Sequence, residues 1–192
     1  MTANSASSPA VCVGYHNHPE ITKEQIRDGW LHTGDLGSLD DDGFVTVTGR
    51  KKALIITAGG KNVSPGELEV SVMTSPVVNL CVVVGDRKPF VAAIVALDLA
   101  ETNAWLQAQG AKPCADLAEA SRNPIVYAEV ERAVNQADEL VSRAESIRKF
   151  EIVPDDFTEE NGLVTASMKA RREAITKRYR DLIDNVIYAG KK

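Results

Sequence analysis

The sequence predicts a mixed fold of strands and helices, α+β or α/β, and three observations carry that expectation. Two β-rich runs, 77–85 and 90–97, are parted by Asp86-Arg87-Lys88-Pro89, the composition of a hairpin turn. A second pair of apolar runs, within 36–48, flanks Asp40-Asp41-Asp42-Gly43, and Asp-Gly is a strong turn signal. The stretches 100–110, 124–148 and 168–188 read as helices, with apolar spacings such as Ile125, Val130 and Val134.

The elements follow in order. Residues 1–9 are small and polar and read as a frayed end. Residues 11–15 have the composition of a short strand. Residues 22–27 start like a helix, with Thr22 as N-cap and Gln25 three positions on. Residues 30–35 form a strand running into a glycine turn, and 36–48 a hairpin. Residues 54–57 read as a buried strand. Ser64-Pro65-Gly66-Glu67 starts a second helix, with Ser64 as N-cap, Pro65 in the first turn and Glu67 closing a capping box. Residues 150–153 are a last strand before the C-terminal helix. No internal repeat is visible.

Composition bounds the function. A chain of 192 residues suggests one domain, or one plus a further piece, and can bury a real core. With 44% hydrophobic and 26% charged residues it has the make-up of a soluble globular protein. The net charge of -5 argues against nucleic acid as a partner. The charge is uneven: residues 167–192 hold eight Lys/Arg against three acids, so that tail is +5 and the remainder -10. Cys12, Cys81 and Cys114 are odd in number and widely spaced, as expected of reduced thiols in a cytoplasmic protein. No apolar run is long enough to span a bilayer, and residues 1–9 lack the features of a signal peptide.

Three motifs carry chemistry. In Trp30–Asp35 a carboxylate follows a glycine at a strand end, where it can accept hydrogen bonds from two adjacent hydroxyls, the demand of a ribose diol. Taken alone, an Asp ending a strand in a turn is the plainer reading. Residues 49–69 join a flexible Gly49, the cations Arg50, Lys51 and Lys52, an apolar strand, and the loop Thr57-Ala58-Gly59-Gly60-Lys61. That loop lets a ligand approach its backbone, but it lacks the spacing of a P-loop. Residues 162–172 contain Thr165-Ala166-Ser167-Met168-Lys169, an ammonium at the start of a basic segment. A basic helical face in solvent is the plainer account of most of 169–180.

In this order, His32-Thr33-Gly34-Asp35, the 49–69 stretch and Leu163–Lys169 resemble the last third of AMP-forming acyl-CoA synthetases, in particular the long-chain fatty-acid–CoA ligases. The resemblance covers roughly residues 11–188. It implies an α+β fold, with a small C-terminal lid domain at 50–192, built from a short sheet and flanking helices. Residues 1–49 would be the β-rich terminal segment of the large adenylation domain. It implies a two-step reaction: fatty acid and ATP give acyl-AMP and pyrophosphate, then CoA displaces AMP. Asp35 and Arg50 would bind the nucleotide and Lys52 would be the hinge. Gly59, Gly60 and Lys61 would line the CoA channel, and Lys169 would be the catalytic lysine, with Arg171 and Lys177 as fallbacks. The family motif ends Thr-x-Ser-Gly-Lys, and here Met168 stands where the glycine is usual.

The same resemblance implies ATP and CoA as co-substrates, and Mg2+ with the ATP at a site outside this chain. It implies a partner, the N-terminal adenylation domain, without which this chain would not complete catalysis. A cytoplasmic place follows, with peripheral membrane contact left open. Two alternatives stand beside it: the lid of a fatty acyl-AMP ligase that feeds a carrier protein, and a non-catalytic interaction fragment. Other constellations are weak. His16 and His18 lack a third ligand at metal spacing. Asp40–Gly43 lacks the alternating ligands of an EF-hand. No Ser/His/Asp or Cys/His arrangement has sequence support.

Overall fold

A computed structural model of the chain describes residues 2–190. The chain divides into two compact units, Met1–Leu54 and Ile55–Lys192. Mixed helices and sheets make up the whole, as α+β expects.

The first unit is a small antiparallel sheet built around one long strand. β1 spans Thr2–Ala6, β2 Ile26–Arg27, β3 Trp30–Leu39 and β4 Val45–Arg50. β1 pairs along β3, β2 pairs with the start of β3, and β4 with its end. The residues expected to fray thus contribute an edge strand. Polar composition did not prevent pairing, because the ladder uses backbone groups only. The strand expected at 11–15 is absent; that stretch is turns and bends. The first helix, α1, is Pro19–Gln25, three residues earlier than expected, with Pro19 in its first turn. Thr22 sits inside it, donating to the His18 carbonyl at 3.0 Å and accepting from the Tyr15 N–H at 2.9 Å. The β3–β4 turn is as expected: Gly43 has φ 88°, and the Asp40 carboxylate accepts from the Phe44 N–H at 2.8 Å. A bulge in β4 follows the Leu36–Gly49 pair.

The second unit is a three-stranded sheet covered on both faces. After a 3₁₀ turn at Lys51–Ala53 comes a minimal hairpin, β5 Ile55–Ile56 with β6 Asn62–Val63. The buried strand expected at 54–57 is therefore two residues long, with only Ile55 of them buried. α2 is Pro65–Val72; Ser64 holds the N-cap position, but its side chain makes no capping hydrogen bond. β7 (Val78–Val84) and β8 (Val91–Leu97) form the expected antiparallel hairpin. β9 (Ile147–Val153) pairs parallel to β8, starting three residues before the expected strand. α3 is Leu99–Ala108, α4 Leu117–Ala120 and α5 Pro124–Asp138. α5 ends ten residues short of expectation, because the Asp138 carboxylate accepts from the Ile147 N–H at 2.7 Å and turns the chain into β9.

β8 is buried along its whole length, and its alternation divides the core. Val91, Ala93, Val95 and Leu97 face a cluster containing Leu68 and Val72 of α2, Leu106 of α3 and Val126 and Val130 of α5. Ala92, Ile94 and Ala96 face Phe157, Leu163 and the C-terminal segment. That segment is not one helix from 168. α6 is Arg172–Arg178, α7 Arg180–Leu182, and a π-helical turn covers Ile183–Ile187. Ile175, Tyr179, Ile183 and Ile187 recur every four residues and all pack on the sheet.

Candidate functional site

In the first unit the structure brings together two predicted residues. Asp35 of β3 lies opposite Arg50, the last residue of β4. Side chains at opposed positions of a ladder are neighbours, and Arg50 Nε sits 3.0 Å from Asp35 Oδ1. Gly34, at φ 73°, bends the strand just before the carboxylate, and the Asp35 N–H donates to the Thr33 hydroxyl at 3.2 Å. Asp35 is half-buried while Arg50 is 73% exposed, so the pair presents a carboxylate and a guanidinium together. Such a pair suits a diol next to an anionic oxygen. Lys52 is the middle residue of the 3₁₀ turn between β4 and β5, and it is exposed.

In the second unit, Gly59, Gly60 and Lys61 form the tip of the β5–β6 hairpin. The Thr57 N–H donates to the Lys61 carbonyl at 3.0 Å, and the Thr57 hydroxyl accepts from the Lys61 N–H at 3.2 Å. Gly60 takes φ 76° to close the turn. The hairpin is tied to the β7–β8 turn: Arg87 N–H donates to the Ile56 carbonyl at 2.8 Å, and Ala58 N–H to the Lys88 carbonyl at 2.9 Å. The Lys61 ammonium lies 3.4 Å from Glu145 Oε1. The Ser142 hydroxyl holds the Glu145 carboxyl below its ordinary value, with Lys61 adding to the effect.

Lys169 is placed by a tight reverse turn. Leu163 and Arg171 close its base, the Arg171 N–H donating to the Leu163 carbonyl at 2.8 Å, and Val164 bridges Ala170. At the tip, the Thr165 N–H donates to the Lys169 carbonyl at 2.9 Å and the Lys169 N–H to the Thr165 hydroxyl at 3.2 Å. Met168 turns the corner at φ 58°, a backbone conformation that suits glycine. The departure from the motif's glycine thus keeps the turn and carries its strain. Lys169 itself is exposed. The fallbacks lie apart from the tip, Arg171 at the base and Lys177 on α6, both exposed.

The two loops occupy opposite ends of β8. The Gly59-Gly60-Lys61 hairpin is hydrogen-bonded to Lys88, just before the strand begins. Met168, next to Lys169, lines a cavity of about 530 Å³ with Leu97 and Asp98, where the strand ends. A seven-residue strand spans about 20 Å between its ends.

Two residues of weight escaped the motif reading. Arg172 Nη2 lies 2.6 Å from Glu69 Oε1, and Arg172 Nη1 donates to the Val83 carbonyl at 2.6 Å. The Val83 N–H donates back to Glu69 Oε1 at 2.7 Å. Burial pushes the Glu69 carboxyl above its ordinary value, with Arg172 and the Val83 N–H working against it. A signal existed. Pro65, Leu68, Glu69 and Val72 share one helical face, so Glu69 occupies a position of the apolar stripe. Arg172 precedes Ile175 of α6 and Tyr179, the residue after α6, on the buried face in the same manner.

Comparison with known proteins gives a consistent picture. The family model for the C-terminal domain of AMP-binding enzymes matches residues 52–191. The long-chain-fatty-acid–CoA ligase FadD15 of Mycobacterium tuberculosis is 43% identical over 173 residues, covering 90% of this chain and 29% of the ligase. The long-chain-fatty-acid–CoA ligase ACSBG2 of Gallus gallus is 37% identical over 192 residues, covering 91% of this chain and 25% of that protein. The chain therefore spans less than a third of the length of these curated relatives. Among solved structures, the A domain of carboxylic acid reductase from Segniliparus rugosus, in complex with AMP and a co-purified carboxylic acid, matches with a TM-score of 0.75. It is 23% identical, covering 95% of this chain and 27% of that one, a likeness of fold. O-succinylbenzoate coenzyme A synthetase from Bacillus subtilis, in complex with AMP, matches with a TM-score of 0.60 at 25% identity, over 88% of this chain and 28% of that one.

Proposed function

Since this chain belongs to the family of AMP-binding enzyme C-terminal domains, we propose that it serves as the lid of a long-chain fatty-acid–CoA ligase. In this reading residues 50–192 are the lid and residues 1–49 close the large adenylation domain. The lid alternates between two stations, one for adenylation and one for thioester formation. The observation that carries the reading is the placement of the two loops toward opposite ends of β8, a strand about 20 Å long. Rigidly joined loops that far apart cannot reach one reaction centre together, so serving both steps requires the lid to turn. Lys52, exposed in the short turn between β4 and β5, is the proposed hinge.

Each residue then has a task. Asp35 accepts the ribose hydroxyls, and the exposed Arg50 guanidinium faces the phosphate side. In the first step a fatty-acid carboxylate attacks the α-phosphorus of ATP, forming a C–O–P anhydride and expelling pyrophosphate. Negative charge gathers on the phosphoryl oxygens in the transition state, and the Lys169 ammonium stabilises it. In the second step the CoA thiol attacks the acyl carbonyl and AMP leaves. The small Gly59-Gly60 tip lets the pantetheine pass close to the backbone. Among the described residues, no three His, Cys, Asp or Glu side chains converge as a metal site requires. The steps above assign these residues no metal-binding task.

The apolar residues left exposed on the β3–β4 hairpin, Leu39, Phe44, Val45 and Val47, support a first unit that continues into a larger domain. Among the described residues, no helix is long and apolar enough to cross a membrane.

The test uses the longer ligase that contains this sequence. Lys169→Ala should lower ATP–pyrophosphate exchange about 10²–10³-fold and leave thioester formation from supplied acyl-AMP near the parental rate. Equal loss in both half-reactions, or none in either, overturns the assignment. This chain by itself is expected to form no acyl-AMP, and turnover above a protein-free blank would show otherwise.

A further inference from the structure

We infer that Glu69 and Arg172 are a positioning pair, which holds the turn carrying Lys169 at a fixed place on the lid so that the adenylation step can use it. The inference deepens the reading above and rests on it. Four observations support the pair. Arg172 stands three residues after Lys169, directly beyond the Leu163–Arg171 closure that ends the turn. Its two terminal nitrogens are spent in different directions, one on the Glu69 carboxylate and one on the Val83 carbonyl, each at 2.6 Å.

The third observation is the source of the acceptors. β7 is an edge of the three-stranded sheet, and both backbone groups of Val83 that point away from β8 are taken by this pair. The pair thereby closes an edge that would otherwise expose a donor and an acceptor. The fourth is burial. Glu69 has a side chain only 14% exposed, while Arg172 is 33% exposed. Bonds in a partly dry site are directional and stiff.

Apolar packing alone would not do the same work. Ile175, Tyr179 and Ile183 glue the C-terminal segment to the sheet, but dispersion contacts have no preferred register. A planar fork with two fixed acceptors does. Glu69 lies on α2, which follows directly from the Gly59-Gly60-Lys61 hairpin. One ion pair, 103 residues apart in sequence, thus joins the element after one functional loop to the element after the other. It keeps the two loops at a constant separation while the lid turns.

The experiment compares Arg172→Lys and Glu69→Gln with Lys169→Ala in the longer ligase. Lysine keeps the charge but lacks the fork, and glutamine keeps an acceptor for the Val83 N–H. Displacing a catalytic group by about 1 Å costs up to about 10²-fold. The expected result is a fall of about 10-fold or more in kcat for ATP–pyrophosphate exchange at unchanged KM for the fatty acid. Thioester formation from supplied acyl-AMP should stay within about twofold. Amide hydrogen exchange in residues 164–170 of this chain should quicken about tenfold in both variants, an effect that needs no activity. If Lys169→Ala fails to separate the half-reactions, the reading of Lys169 falls. If Lys169→Ala separates them and the pair variants do not, the positioning role is overturned. Loss of folding in both pair variants would make the pair a stability element and overturn the role as well.

Discussion

Replacing Arg172 by Leu should destabilise the second unit, and the penalty should grow with pH. The substitution keeps much of the apolar stem and removes both nitrogen contacts, at 2.6 Å each. Glu69 would keep the Val83 N–H as its partner, beside the buried Cys81 thiol. Breaking a fully buried ion pair by removing one partner costs about 3–5 kcal/mol. Arg172 is a third exposed, so solvent takes part of that, and about 3 kcal/mol at neutral pH is expected.

The sign of the pH dependence follows from proton binding. Burial already raises the Glu69 carboxyl in the native protein, with Arg172 opposing. A native state that holds its proton to higher pH than the unfolded chain loses stability as pH rises through that window. Without Arg172 the window extends further upward, and within the extension the variant loses about 1.4 kcal/mol per pH unit relative to the parent. Urea denaturation followed by circular dichroism, from about pH 5 to about pH 8, should show a gap that is small at the acid end and widens. A gap constant with pH, or one that narrows, would refute the reasoning, because ionised Glu69 would then not depend on Arg172.

Three further outcomes follow from the geometry. Met168→Gly should stabilise the chain by about 0.5 kcal/mol, since relief of a left-handed conformation worth about 1–2 kcal/mol exceeds the extra unfolded-state freedom of glycine. Met168→Ala, which keeps the strain, is the control, and a glycine variant less stable than it would contradict the account. Gly85→Ala should cost about 2 kcal/mol or more in thermal unfolding. Its new Cβ would meet the Phe90 carbonyl oxygen at 3.1 Å and Val91 Cα at 3.2 Å, with φ at 155°; a variant as stable as the parent would mean that the β7–β8 turn shifts freely. Lys52→Pro in the longer ligase should leave the chain folded and slow one half-reaction far more than the other, because proline fixes φ at the proposed hinge; parental rates in both would place the hinge elsewhere.

The sequence by itself determined the mixed fold, both long hairpins and the three motifs, because each rests on information held within a few residues. Asp-Gly and Asp86–Pro89 announce turns locally, and the β7 and β8 runs are apolar enough to be strands in any context. The turn that carries Lys169 was not legible: residues 168–188 read as one helix, and no local pattern reported the left-handed corner at Met168. What failed were boundaries set from outside the segment. Edge strand β1 exists because β3 offers a ladder, which no pattern in a small polar stretch reports. α5 stops at Asp138 because its carboxylate binds the Ile147 N–H across a loop. The C-terminal segment begins its helix at Arg172, because Leu163 and Val164 take up the backbone before it. Only the tertiary structure decided that Glu69 and Arg172 meet around Val83, and that the two loops stand at opposite ends of β8. Both facts depend on strand order and on contacts between residues far apart in the chain. Local propensity carries no term for either, since the free energy of such contacts exists only once the sheet has closed.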